Sequence, residues 1–400
     1  MTEQLCQQAR RAAAVLATPP APPSFDAAHL AAILDLSEPD AVAVIELLVT
    51  ERQATPSGDG AYGLASPVAA VAADHADLAR SRAWRVSEVA FLERSAHPRA
   101  IRVTACYPAP VTATTAPAAA RRMWKSRRDE WMGLLAHECT TSPTWLTAVL
   151  AEAVWGLAWH SGAVADADEA LRLGMGALDP EDTPARAAFH ARRAGTLSES
   201  GQHDDALAHA DLAVETAYAT SDAQLRQIAM LSRSRALRCA GQGLDAVRTA
   251  ATAWALARDH HDTRGEALSQ LELGRAYLDL GRTADAQCHL IAAAGLIGAR
   301  GEHVGQARAR THLAAAHVQA FEHAEALAVL GNALPVLLDH GNTRYLAEAH
   351  HILMRAHRHE DGDSDEARDA SVHASALFLE AGRPERARAV FADLHPGEWQ

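Results

Sequence analysis

The residues best placed to do chemistry are arginines at a fixed interval. Arg235 and Arg275 stand forty residues apart, and Arg355 falls two further intervals on. Three positions after the first and last of these stand Arg238 and Arg358, and Arg308 lies on an adjacent row. Guanidinium groups present forked N–H donors that match carboxylates and phosphates, so a column of them spells anion recognition. A second group is the cluster Arg121, Arg122, Lys125, Arg127 and Arg128, interleaved with Trp84, Trp124 and Trp131. Basic residues mixed with aromatics can hold nucleic acid. Such stretches more often pair with acidic faces of their own protein, and the acidic N-terminal residues offer a partner. A third group, His350, His351, His357 and His359 followed by Glu360, Asp361, Asp363 and Asp365, has metal-ligating types. No His–carboxylate pair at helical spacing closes a recognised site there, and solvated side chains are the favoured reading, as for Asp259-His260-His261-Asp262. The sequence has no GxSxG, HExxH, GxxxxGK[ST] or EF-hand loop. No catalytic residue, metal or cofactor is expected.

The arginine interval belongs to a repeat. Gly162 with Ala167, Gly201 with Ala206, Gly241 with Ala246 and Gly281 with Ala286 recur every 39 or 40 residues. Phe321 with Ala326 keeps the register without the glycine, Gly362 with Ala367 follows, and Gly382 with Ala387 closes the series after only 20. Independently, Ser221-Asp222, His261-Asp262, Gly301-Glu302 and Gly341-Asn342 mark the hand-over between units. Within a unit, Leu273, Gly274, Tyr277, Ala286, Leu290 and Ala293 fall at helical spacings on either side of Gly281. Each unit is therefore a hairpin of two helices, with small residues where they cross (Ala194, Ser234, Gly274 and Ala314 in the first, Ala206, Ala246, Ala286 and Ala326 in the second). Asp222, Asp262 or Thr263, and Asn342 suit N-caps. Pro335 should kink or shorten its helix. The short last step predicts one helix near Asp365 to Ala381 shared by two neighbours, with Pro384 to Leu394 as a terminal cap.

The N-terminal segment reads as helices over 2–17, Asp26 to Leu36 and Glu38 to Arg52, the last with Ser37 as N-cap, then a hairpin tip over Thr55 to Tyr62. That is the order of a winged helix. Its third helix carries Glu38, Asp40, Glu46 and Glu51 against Arg52 alone, and residues 1 to 70 hold three arginines and eight acidic residues. Such a face repels phosphates. The 400-residue chain is 48% hydrophobic yet only 5% aromatic, its apolar content being largely alanine, which favours helix. A net charge of -13 argues against general attraction to nucleic acid or anionic lipid. Five scattered cysteines without CxxC spacing suggest neither disulfides nor zinc, and no secretory or membrane segment is evident, so a cytoplasmic location is expected.

The repeats resemble tetratricopeptide repeats with a period of 40. The whole order resembles the C-terminal half of AfsR-like STAND regulators, through Ala9-Arg10-Arg11-Ala12, the helix Ala41 to Glu51, Tyr62-Gly63-Leu64, Trp124 to Leu135 and the repeats. That family's phosphate-binding loop is absent, and Ala65-Ser66 stand where it has a nucleotide-sensing His-Asp. ATP switching is therefore not implied. The resemblance implies an all-α solenoid whose concave groove carries the arginine column. The expected division is a winged-helix-like unit over 1–70, a helical connector with the basic cluster over 71–140, and a tetratricopeptide-like solenoid over 141–400. The expected function is a non-enzymatic regulator or scaffold that binds a protein or acidic peptide in the groove. Nucleic acid is not favoured, a membrane is not expected, and a homo-oligomer stays open. Two alternatives are a peptide- or small-ligand-responsive transcription regulator and an enzyme that uses the solenoid as a substrate cradle.

Overall fold

A computed structural model describes residues 3–18, 24–58, 60–65, 73–97, 100, 102–104, 107, 117–141, 144–358 and 364–394. Backbone packing divides the chain into two units, Met1–Val154 and Trp155–Gln400.

In the first unit, α1 (Glu3–Ala17), α2 (Ala27–Leu34) and α3 (Glu38–Thr50) are followed by β1 (Ala54–Gly58) and β2 (Ala61–Leu64). The helix starts are fixed by side chains: Asp26 accepts from the His29 N–H at 2.7 Å, and Ser37 from that of Asp40 at 3.3 Å. Asp35 ends α2 in the left-handed region. The antiparallel hairpin pairs Ala54 with Leu64, and Phe25 exchanges two 2.8 Å backbone hydrogen bonds with Tyr62. Val15, Leu16, Leu30, Ile33, Val44 and Leu48 fill the core between them. Two long helices follow, α4 (His75–Ala96) and α5 (Pro117–Thr141), and α6 (Trp145–Ser161) begins in this unit. On α5, Trp124 and Trp131 are buried and stacked with centroids 6.1 Å apart.

The second unit is a succession of helical pairs. After the end of α6 comes α7 (Val164–Met175), then α8 (Thr183–Glu199) with α9 (His203–Tyr218), α10 (Ala223–Cys239) with α11 (Gly243–Asp259), and α12 (Thr263–Asp279) with α13 (Thr283–Ala299). The array continues with α14 (His303–Gln319) and α15 (His323–His340), α16 (Thr343–His357) and α17 (Asp365–Glu380), and ends in α18 (Pro384–Leu394). The last two elements match the shared helix and cap expected from the 20-residue step.

The repeat register works through backbone conformation and close packing. Gly201, Gly241 and Gly281 turn each hairpin at φ of 77°, 77° and 71°. Phe321 adopts the same left-handed conformation, φ 62°, without being glycine, and its side chain is 85% exposed. Where the helices cross, Ala206, Ala246, Ala286 and Ala326 are fully buried. A Cβ on Gly274 would stand 2.5 Å from Leu290 Cγ, so only glycine fits without Leu290 moving. Asp222, Asp262 and Asn342 cap α10, α12 and α16 by accepting from Leu225, Arg264 and Tyr345 N–H groups at 3.0 to 3.1 Å. Pro335 does not shorten α15, which at 18 residues is one longer than α14. The proline removes one N–H from the ladder, and the left-handed Gly341 ends the helix a turn and a half later.

Candidate functional site

Successive first helices of the pairs bring the arginine column to one face. Arg238, Arg275 and Arg355 line a cavity of about 360 Å³, together with Ser198 and Glu199 of α8, Thr311 and His312 of α14, Glu348 and His351 of α16, and Arg383 and Arg386. Five arginines thus meet Glu199, Asp279 and Glu348 in this lining, a cationic excess inside a protein of net charge -13.

Most of these guanidiniums are already paired. Glu272, 2% exposed, accepts from Arg235 Nη2 at 2.8 Å and Arg275 Nη1 at 3.0 Å through the same oxygen. Arg238 Nη1 lies 2.8 Å from Asp279 Oδ2. Burial opposes the charge on Glu272, but Arg275, Arg235 and Arg238 outweigh it and hold the carboxyl well below the usual range. Glu199 is similar: burial is overcome by Arg344 and Arg383, at 3.2 and 3.1 Å, with Arg275 and Arg235 adding to the effect. His312 is driven well below its ordinary value by burial and by Arg275, Arg308 and Arg238, so it faces the cavity neutral.

The remaining arginines of the column, and Arg386 beside them, differ. Arg355 and Arg386 are exposed, and neither forms an ion pair among the described residues; both act on His351, whose pKa burial lowers first and Arg386 lowers further. Arg308 sits 4.4 Å above the Tyr345 ring, and its buried Nε has no hydrogen-bond partner among the described residues. Arg358 is not in the cavity lining. It is the C-cap residue of α16, beyond the last helical turn, and it donates to the Asp393 carbonyl of α18.

The basic cluster is placed on α5, in the first unit. Arg127 pairs with Glu88 at 2.5 Å and Glu130 at 2.7 Å, and Arg128 with Asp129 at 2.5 Å. The carboxylates paired with Arg127 thus belong to α4 and α5. Arg122 and Lys125 are on exposed positions, and the side chain of Arg121 lies outside the described residues. Glu38, Asp40 and Glu46 of α3 and its C-cap Glu51 are all exposed.

The histidines separate. His350 stacks on His373 with centroids 5.3 Å apart, His351 Nε2 is 3.4 Å from Asp393, and His357 is half-buried. His359, Glu360, Asp361 and Asp363 lie outside the described residues. Among the described residues, no group of three or more metal-ligating side chains converges. No described helix is long and apolar enough to cross a membrane.

Sequence reasoning missed Glu199, Glu272, Arg344, Arg383 and Arg386. Glu272 carried a signal, since it precedes Arg275 by three residues on one helix. The others meet only through the three-dimensional course of the repeats.

Paired helices crossing at small residues and joined by left-handed turns define an all-α, tetratricopeptide-like solenoid. One solved structure agrees with that fold, and two more are similar to a lesser degree. The Rap protein crystallised with competence and sporulation factor superposes with a TM-score of 0.53 at 11% identity, over 79% of this chain and 96% of that one. An apo Rap protein gives 0.44 at 14% identity, over 59% and 92%. A STAND protein with a tetratricopeptide repeat sensor from Pyrococcus horikoshii gives 0.43 at 13% identity, over 98% of this chain and 63% of that one. No family model and no curated protein matches the sequence.

Proposed function

We propose that this protein is a non-enzymatic regulator or scaffold that holds an acidic peptide or protein segment in the arginine-lined cavity of its solenoid. The observation that carries this reading is the pair Arg355 and Arg386, two exposed cations that line the cavity and form no ion pair among the described residues. Stacked repeats give an extended recognition surface, and unpaired guanidiniums on it supply selectivity for carboxylates. The Rap structure of similar fold was crystallised with a factor bound, which accords with a binding role.

The three-helix and hairpin module is read as winged-helix-like and serves packing. The acidic outer face of α3 and the ion pairs of Arg127 on α5 speak against DNA contact.

The test is fluorescence anisotropy with labelled hexaglutamate, hexaglutamine and hexalysine at two salt concentrations. Hexaglutamate binds selectively, and Arg355→Glu combined with Arg386→Glu weakens it by about tenfold or more, from roughly 1 kcal/mol per exposed charge contact. Equal affinity for all three peptides refutes the reading.

A further inference from the structure

The Glu199 carboxylate is gripped by residues from the far end of the array. Arg344 begins α16 and Arg383 precedes α18, yet both lie within 3.2 Å of this α8 side chain. They are 145 and 184 residues away in sequence.

Other contacts join the same two ends. Asn342, fully buried, donates from Nδ2 to the His160 carbonyl at 2.5 Å while its Oδ1 caps α16. The Arg344 guanidinium stacks 4.2 Å from the Trp159 ring. Gly162 lies so close to α16 that a Cβ on it would stand 2.7 Å from Thr343 Oγ1. The first repeat elements therefore touch the last ones, and the cavity lies against that junction, lined by Glu199, Arg383 and the unpaired Arg355 and Arg386.

Arg344 is only 1% exposed, but Arg383 lines the cavity and is open to a guest. A carboxylate entering beside Arg355 and Arg386 meets Arg383 next, where Glu199 already sits. We propose that Arg383 with Arg344 forms the strongest carboxylate site of the solenoid, that Glu199 fills it in cis as a latch between the two ends, and that an acidic guest takes Arg383 by displacing Glu199 and so loosens the junction. The displacement rests on the acidic-guest reading above; the latch does not.

The experiment uses the full chain and the isosteric variant Glu199→Gln, with Arg383→Gln as a second variant that breaks the same pair from the other side. Hydrogen exchange is followed at Trp159 to Gly162 and Tyr345 to Ala347, with Ala250 to Ala257 of α11 as an internal control. Either variant speeds exchange at the junction by tenfold or more and leaves α11 unchanged. Hexaglutamate added to the wild type does the same, and it binds Glu199→Gln at least fivefold more tightly than the wild type. Wild-type exchange at the junction in both variants overturns the latch. Equal hexaglutamate affinity for wild type and Glu199→Gln overturns the displacement. Loosened junctions with no hexaglutamate binding to either protein leave the latch standing and refute the acidic-guest reading.

Discussion

Replacing Glu272 by glutamine tests how the arginine column is held. The wild-type carboxylate is almost fully buried and offers one oxygen to both Arg235 and Arg275, and Arg275 is itself only 7% exposed. Removing one partner of a buried ion pair costs about 3–5 kcal/mol, because the remaining charge is left unbalanced. Glutamine keeps the shape and one acceptor oxygen, which places the cost near the lower end, at about 3 kcal/mol. For a unit of this size a loss of that order lowers Tm by roughly 6–12 °C. Arg235→Gln costs less, since the Arg235 side chain is 22% exposed and water screens its charge. Circular dichroism melts of the two variants at neutral pH provide the assay. The same substitution frees two guanidiniums, so hexaglutamate binds Glu272→Gln more tightly than the wild type. A Tm within about 2 °C of the wild type, or weaker hexaglutamate binding, refutes the reasoning.

Three further outcomes follow from local geometry. Phe321→Gly raises Tm by about 1–3 °C: the left-handed conformation costs a non-glycine residue about 1–2 kcal/mol, glycine's extra unfolded-state freedom returns about half of that, and an 85% exposed side chain forfeits little burial. A Tm unchanged or lowered contradicts this. Gly274→Ala costs about 1–3 kcal/mol through overpacking against Leu290, and a denaturant midpoint equal to the wild type's would show that α13 gives way freely. The third outcome is a pH dependence of stability with two limbs. The Nδ1 atoms of His190 and His209 lie 2.8 Å apart, and burial, with their cationic neighbours, pushes His190 down to about 4 and His209 below its ordinary 6.5. Their folded-state values are depressed, so the stability they contribute is full above 6.5 and is lost as pH falls toward 4. Glu199 and Glu272, also depressed, contribute fully above about 4.5 and lose that contribution below it. Tm measured against pH declines on both limbs; His190→Asn flattens the upper one and Glu272→Gln the lower. A single limb in the wild type contradicts the assignment.

Much of the solenoid was legible in the sequence because its rules are local. Each glycine turn, each capping Asp or Asn and each small crossing residue acts within one hairpin, so a 40-residue register exposes them all. The short final step even gave α17 and α18. The missing glycine at Phe321 was visible, but that phenylalanine keeps the left-handed turn was not, since that conformation is one a non-glycine residue rarely adopts. Helix periodicity placed Arg238, Arg275 and Arg355 on the cavity, while Arg235, Arg308 and Arg358 fall outside its lining, Arg358 because α16 ends one residue before it. The carboxylates that neutralise the column escaped notice for a different reason. Glu199 finds Arg344 and Arg383 only because small rotations accumulate over successive repeats until the ends meet, and no pairwise spacing encodes that sum. The basic cluster shows the same limit: its composition announced pairing, but not that Arg127 would find Glu88 of α4 and Glu130 of α5.

The central claim, that the cavity holds an acidic guest on its unpaired arginines, meets its most direct test in native mass spectrometry of the protein purified gently from its own host. The account predicts a stoichiometric guest rich in Asp and Glu, or bearing a free carboxylate, that is lost from the Arg355→Glu, Arg386→Glu double variant. A basic or uncharged guest, or an acidic one that the double variant retains in full, would contradict it.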